Sequence, residues 1–195
     1  MCSRYEMNGT YEDVELRFKV TGSRELFPMA EVCTTNCVPV IAKRNALHFC
    51  RWGLENSWDN KPLINARSET LAEKETFAPF LEERCLIPAT AYFEWRRDGE
   101  AKIKTRIFPV DGGLFSFAGL KNEERFTIIT CAPVSSIAHI HNRMPVILDP
   151  TAESYWLSTS NSFQDVAELL NPRQDGFLSS EEVKPPPSKQ RDLFD

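Results

Sequence analysis

Short runs of apolar or alternating residues, each closed by turn-forming residues, recur through the middle of the chain at 38–42, 85–95, 102–110, 114–120 and 126–132. Runs of this length and composition predict strands, so the core is expected to be strand-rich. Asp111-Gly112-Gly113 falls between two of them and predicts a tight turn, because glycine accepts the positive φ that hairpin turns demand. Helical signals are fewer. Residues 68–77 have an acidic first turn, and Asp149-Pro150 sets a capping acid before a proline at the first helical position, leading into 152–157. A last helix is predicted over 163–170, capped by Ser162 and stopped by Asn171-Pro172. Beyond it the pattern fades into a polar stretch holding Pro185-Pro186-Pro187, which cannot bury much surface. Residues 2–172 therefore read as a single domain and 173–195 as a polar, proline-containing tail, docked loosely or disordered.

A chain of 195 residues with 42% hydrophobic content can bury a substantial core and suits one domain better than two. The net charge of -5 argues at first against a nucleic-acid partner, but it is unevenly placed. Residues 151–195 carry four Lys/Arg against eight Asp/Glu, which leaves 19 basic and 20 acidic side chains in the rest and room for a local basic groove. The start of the chain has no apolar stretch of signal-peptide length, and no later window approaches the ~20 apolar residues of a membrane span. A cytoplasmic protein without membrane contact is expected, nucleoid-associated if bacterial. Its six cysteines are scattered as free thiols would be in a reducing compartment, and Cys33 and Cys37 lack the second ligand pair of a zinc site. No metal or cofactor is expected, and with no dedicated interface in view the chain reads as a monomer.

The residue that could carry chemistry is Cys2. Removal of Met1 would give it a free α-amine beside its thiol, a 1,2-aminothiol whose groups ordinarily titrate near ~7.7–8.0 and ~8.5. Such a pair reacts with aldehydes: the amine forms an imine, and the thiolate closes on the imine carbon to give a five-membered thiazolidine. Position alone favours a passive cysteine, so the reading needs supporting residues. Three segments add polar residues in unexpected places. Asn65 and Arg67 precede the predicted helix at 68–77, where Asn65 also reads as a turn residue. Glu94 interrupts an aromatic run, which burial would turn toward a general acid and exposure would leave an ordinary strand glutamate. His141 offers an imidazole with Arg143 two residues on, whereas His48 and His139 read as structural.

Taken in order, these segments closely resemble the SOS-response-associated peptidase family, whose members act on abasic sites in single-stranded DNA. The resemblance is carried by Met1-Cys2 with Arg4, Val38-Pro39-Val40, Arg51-Trp52-Gly53-Leu54, Asn65-Ala66-Arg67-Ser68-Glu69-Thr70, Arg84-Cys85-Leu86-Ile87-Pro88, Glu94-Trp95, Phe117-Ala118-Gly119-Leu120, and His141 with Arg143-Met144-Pro145. It implies an α+β, mainly β fold: an open barrel-like core of antiparallel strands with a few peripheral helices, and Cys2 opening into a groove for single-stranded DNA. It also implies Cys2 as the crosslinking nucleophile, with Asn65, Glu94 and His141 as the other active-site positions. Asn65 would hold the α-amine or the sugar hydroxyls, and Glu94 and His141 would shuttle protons. Arg4, Arg67 and Arg143 fit phosphate contacts, since guanidinium groups pair bidentately with phosphate. Trp52 and Trp95 read either as stacking platforms for bases or as core aromatics, and Pro39 and Met144 either wedge against a base or pack the groove wall. Three positions depart from the family pattern: Ser3 replaces a usual glycine, Thr34 a common proline, and Ala91-Tyr92-Phe93-Glu94-Trp95 the commoner Gly-Phe-Tyr-Glu-Trp, which moves a phenol one place. The expected function is covalent capture of abasic sites through Cys2. The competing readings are a thiol peptidase, acting only to release Met1 in its narrowest form, and a non-catalytic binder of single-stranded or modified DNA.

Overall fold

The computed structural model describes residues 2–22, 28–56 and 59–184. Met1 and residues 185–195, on which the readings of methionine removal and of the distal tail fall, lie outside the described residues. Strand β1 (Arg4–Met7) is followed by helix α1 (Tyr11–Phe18), then by β2 (Met29–Cys33), β3 (Cys37–Ala42), β4 (Ala46–Trp52) and the short β5 (Asn65–Arg67). The middle of the chain supplies β6 (Arg84–Ala89), β7 (Ala91–Asp98), β8 (Ala101–Pro109), β9 (Phe115–Lys121) and β10 (Arg125–Cys131). Two-residue strands β11 (Met144–Pro145) and β12 (Ile147–Leu148) precede α2 (Pro150–Leu157), α3 (Phe163–Val166) and β13 (Leu178–Glu182). No helix among the described residues is long and apolar enough to cross a membrane.

The strands form two sheets. One has the order β13-β8-β7-β1-β2, every neighbour antiparallel. In the other, β4 pairs with β3, β3 with β6, β6 with β9, β9 with β10, and β10 returns to β4. Five strands thus close a ring where the sequence pointed to an open one, and β10 runs parallel to β4 and β5 rather than antiparallel. Closure explains why β6 and β9 are buried along their whole lengths: one face fills the barrel and the other is covered, so both read as continuous apolar runs. Helix α2 covers β6, with the fully buried Trp156 donating its indole N–H to the Cys85 carbonyl at 3.0 Å. Gly119 marks the tightest approach. A Cβ there would stand 2.4 Å from Ile87 Cδ1 and 2.7 Å from the Thr127 carbonyl oxygen.

The strand expectations at 38–42, 102–110, 114–120 and 126–132 match β3, β8, β9 and β10 to within about one residue at each end. The run 85–95 does not form one strand. It breaks at Thr90, where the chain leaves the barrel for the other sheet; Thr90 donates its N–H to the Glu6 carbonyl and its hydroxyl to the Glu6 carboxylate, at 2.8 and 2.6 Å. The Asp111-Gly112-Gly113 turn forms, with Gly112 at φ 70°, but it joins strands of different sheets instead of a hairpin. The helix expected at 68–77 is instead a single tight turn at Ser68–Thr70 followed by further turns, and Glu69 within it is paired with Arg143. Ser162 and Asp149 cap the last two helices as expected. Within the stretch read as tail, β13 pairs with β8 from Leu178↔Pro109 to Glu182↔Thr105.

Candidate active site

Strand β1 lies between β7 and β2, so the residues just ahead of it are delivered to the middle of a sheet. Cys2 turns inward there and is 1% exposed, with its S–H directed at the Arg4 carbonyl at 3.5 Å. Asn65, at the head of β5, donates from Nδ2 to the Cys2 carbonyl oxygen at 2.7 Å. Glu94 reaches the same place from β7 and is 3% exposed. His141, in the loop before β11, places Nε2 3.9 Å from Glu94 Oε2. His141 Nδ1 lies 3.1 Å from the backbone nitrogen and 3.2 Å from the carbonyl oxygen of Arg143, which fix the ring so that Nε2 faces Glu94. The four residues the sequence singled out as catalytic are therefore brought together from four separate segments.

Burial sets their protonation. It pushes the Glu94 carboxyl up to about 7, so this group gives and takes protons near neutrality. Burial also holds His141 below the usual imidazole range, so the ring is mainly neutral at pH 7. The Cys2 thiol is pushed well up, by burial first and by the Glu94 charge second. The ordinary thiol range near ~8.5, from which the sequence reading of this residue starts, does not hold in this setting. Among the described residues, no three His, Cys, Asp or Glu side chains converge as a metal site requires.

The site opens into a cleft of about 340 Å³ lined by Glu94, Trp95, Arg97, Lys102 and His141. Trp95 is half-buried, and the Arg4 guanidinium lies 5.9 Å from its ring centroid. Arg4 is ion-paired with Glu31, which also takes the Lys104 ammonium at 2.6 Å. Arg67 is exposed. Other expectations fare differently. Trp52 is fully buried, donates its indole N–H to the Ile64 carbonyl at 2.8 Å and stacks on Phe126, so no base can reach its face. Met144 is buried in the core, and Pro39 is buried within β3 opposite Phe49, so neither presents a face for wedging against a base. Arg143 holds Glu69 with both terminal nitrogens, at 2.6 and 2.9 Å, and the Thr130 carbonyl at 2.5 Å, which makes it a brace for the His141 loop. Sequence reasoning missed Arg97 and Lys102. They face each other across the β7–β8 hairpin, and exposed like charges directly opposite are unfavourable unless an anion joins them.

The model of the SOS response associated peptidase (SRAP) family matches residues 1–186. The chain belongs to the SRAP family. Among curated SRAP relatives, abasic site processing protein YoqW of Bacillus subtilis is 35% identical over 192 residues, covering 87% of this chain and 86% of that protein. Abasic site processing protein YedK of Escherichia coli is 29% identical over 188 residues, covering 87% and 85%. The SRAP fold is seen in the crystal structure of a Bacteroides thetaiotaomicron protein, with a TM-score of 0.84 and 28% identity over 94% of this chain and 92% of that one.

Proposed function

We propose that this protein processes abasic sites in single-stranded DNA, capturing the ring-opened sugar as a thiazolidine on Cys2 once Met1 has been removed. The observation that carries the reading is the 2.7 Å bond from Asn65 Nδ2 to the Cys2 carbonyl, which pins the reactive end of the chain beside a carboxyl of pKa about 7. The α-amine leads, because the thiol is the poorer nucleophile while it keeps its proton. The neutral amine adds to the aldehyde carbon, and Glu94 protonates the departing hydroxyl, so water leaves and an iminium remains. Glu94, now a carboxylate, takes the Cys2 thiol proton, and the sulfur closes on the iminium carbon. Aminothiol and aldehyde thus become thiazolidine and one water. His141, with Nε2 toward Glu94, serves as the second proton carrier between the carboxyl and the sugar. Arg97 and Lys102 supply phosphate contacts at the mouth of the cleft, and Trp95 a face for a flanking base.

The test incubates protein whose intact mass confirms loss of Met1 with a single-stranded oligonucleotide carrying one abasic site, followed by a denaturing gel. A slow band is expected that is absent for Cys2→Ala and for a variant with one residue left ahead of Cys2. A thiol peptidase would tolerate the extra residue, and a non-covalent binder would give a complex that dissolves in salt and denaturant. No band from Met1-free wild type overturns the proposal.

A further inference from the structure

Residues two apart on a strand share a face, so Tyr92 and Glu94 of β7 point the same way, into the interior. Tyr92 is fully buried and sits opposite Tyr5 of β1, with its ring edge-on to Phe117. Its hydroxyl has no hydrogen-bond partner among the described residues. Native interiors rarely leave such a group unsatisfied, and those that do often hold it for a ligand or a reaction step. Burial, followed by the charges of Cys2 and Glu94, raises its pKa well above the ordinary phenol range, so the oxygen keeps its proton and is able to donate it in a hydrogen bond. The titratable side chains that interact with Cys2 are Glu94 and Tyr92 on β7 and Tyr5 on β1; beyond them, Cys85 on β6 lies beside Tyr5, Cys131 on β10 beside Tyr92, and His141 beside Glu94.

Ring closure is the step that needs a donor. The thiol must ionise in a pocket that disfavours its anion, next to a carboxylate that repels it. We infer that Tyr92 is a further catalytic residue, whose Oη–H donates a hydrogen bond to Cys2 Sγ while the sulfur closes the ring. This rests on the thiazolidine reading above. In the step, the Sγ–H bond breaks and its proton passes to Glu94, the Sγ–C bond forms, and the C=N π pair returns to nitrogen as the amine. Tyr92 keeps its proton throughout. Phe93, one place on, lies on the other face beneath the Lys104 ammonium, 4.3 Å from its ring centroid, so a hydroxyl at 93 cannot substitute.

The experiment compares Met1-free wild type, Tyr92→Phe and the double variant Tyr92→Phe/Phe93→Tyr on the abasic oligonucleotide across the range in which thiols titrate. Borohydride quenching followed by maleimide labelling of the unfolded adduct separates the two stages: a reduced imine leaves the Cys2 thiol free to label, and a closed ring does not. Both variants are expected to form imine at the wild-type rate and to close the ring about tenfold more slowly at neutral pH, with the thiol limb of the profile displaced upward by about one unit. Superimposable closure profiles for wild type and Tyr92→Phe, or wild-type closure in the double variant, would overturn the inference. Wild-type adduct that stays fully labelled would instead overturn the thiazolidine reading itself, and with it the role of Tyr92.

Discussion

Replacing Glu94 by Gln should make the protein more stable at neutral pH while abolishing its chemistry. Glu94 is 3% exposed, and its carboxyl is raised from an ordinary 4.5 to about 7 by burial. Between these values the folded protein binds a proton that the unfolded chain has released, so wild-type stability falls as pH rises through this window. The loss is fully developed above pH 7. A displacement of this size corresponds to about 3 kcal/mol, since one unit is worth about 1.4 kcal/mol. Glutamine keeps the shape and cannot ionise. Glu94→Gln should therefore differ little from wild type near pH 4.5 and gain about 3 kcal/mol by pH 8, a shift on the order of 1 M in urea midpoint. Urea unfolding of both proteins at several pH values, followed by circular dichroism, gives the comparison directly. A stability difference that stays constant from pH 4.5 to pH 8 would mean that burial does not hold the proton on Glu94, and the acid–base role derived from it would fall.

Two further outcomes follow from geometry. Arg97→Glu with Lys102→Glu should weaken binding of single-stranded DNA and lower the slope of log affinity against log salt by about 1.4, at about 0.7 per lost phosphate contact, as read by fluorescence anisotropy across a salt series. Gly119→Ala should destabilise the fold by about 1–3 kcal/mol or more, because its methyl group would meet the Thr127 carbonyl at 2.7 Å inside a closed barrel; thermal melting measures this, and an unchanged melting temperature would contradict the tight approach.

What the sequence disclosed depended on how local each signal was. The strands at 38–42, 102–110, 114–120 and 126–132 were legible because each is bounded by its own turn residues. Thr90 was not, because the corner it makes is stabilised by Glu6, far away in the chain. Helix α1 escaped notice although Thr10 and Asp13 form a capping box and Tyr11, Val14 and Phe18 share a buried face; eight residues carry too short a period to stand out. Glu94 could be singled out as a charge inside an aromatic run. Trp52, Pro39 and Met144 could not be sorted, because an apolar side chain beside a polar motif reads the same whether it faces a ligand or the core. Arg97 and Lys102 become neighbours only when the hairpin register is known. The Cys2 thiol was misjudged for the same kind of reason: its reactivity is set by burial, which its own neighbours in the chain do not determine.

The placement of β1 also has a mechanical side. Residue 2 leads into a strand flanked on both sides, with Arg4, Tyr5 and Glu6 paired to β7 and Arg4, Tyr5 and Met7 to β2. A load applied to residue 2 along the axis of β1 is thus shared by two ladders in shear, rather than peeling one bond at a time from an edge. Whatever is joined to that residue is anchored at the part of the sheet best able to resist being pulled.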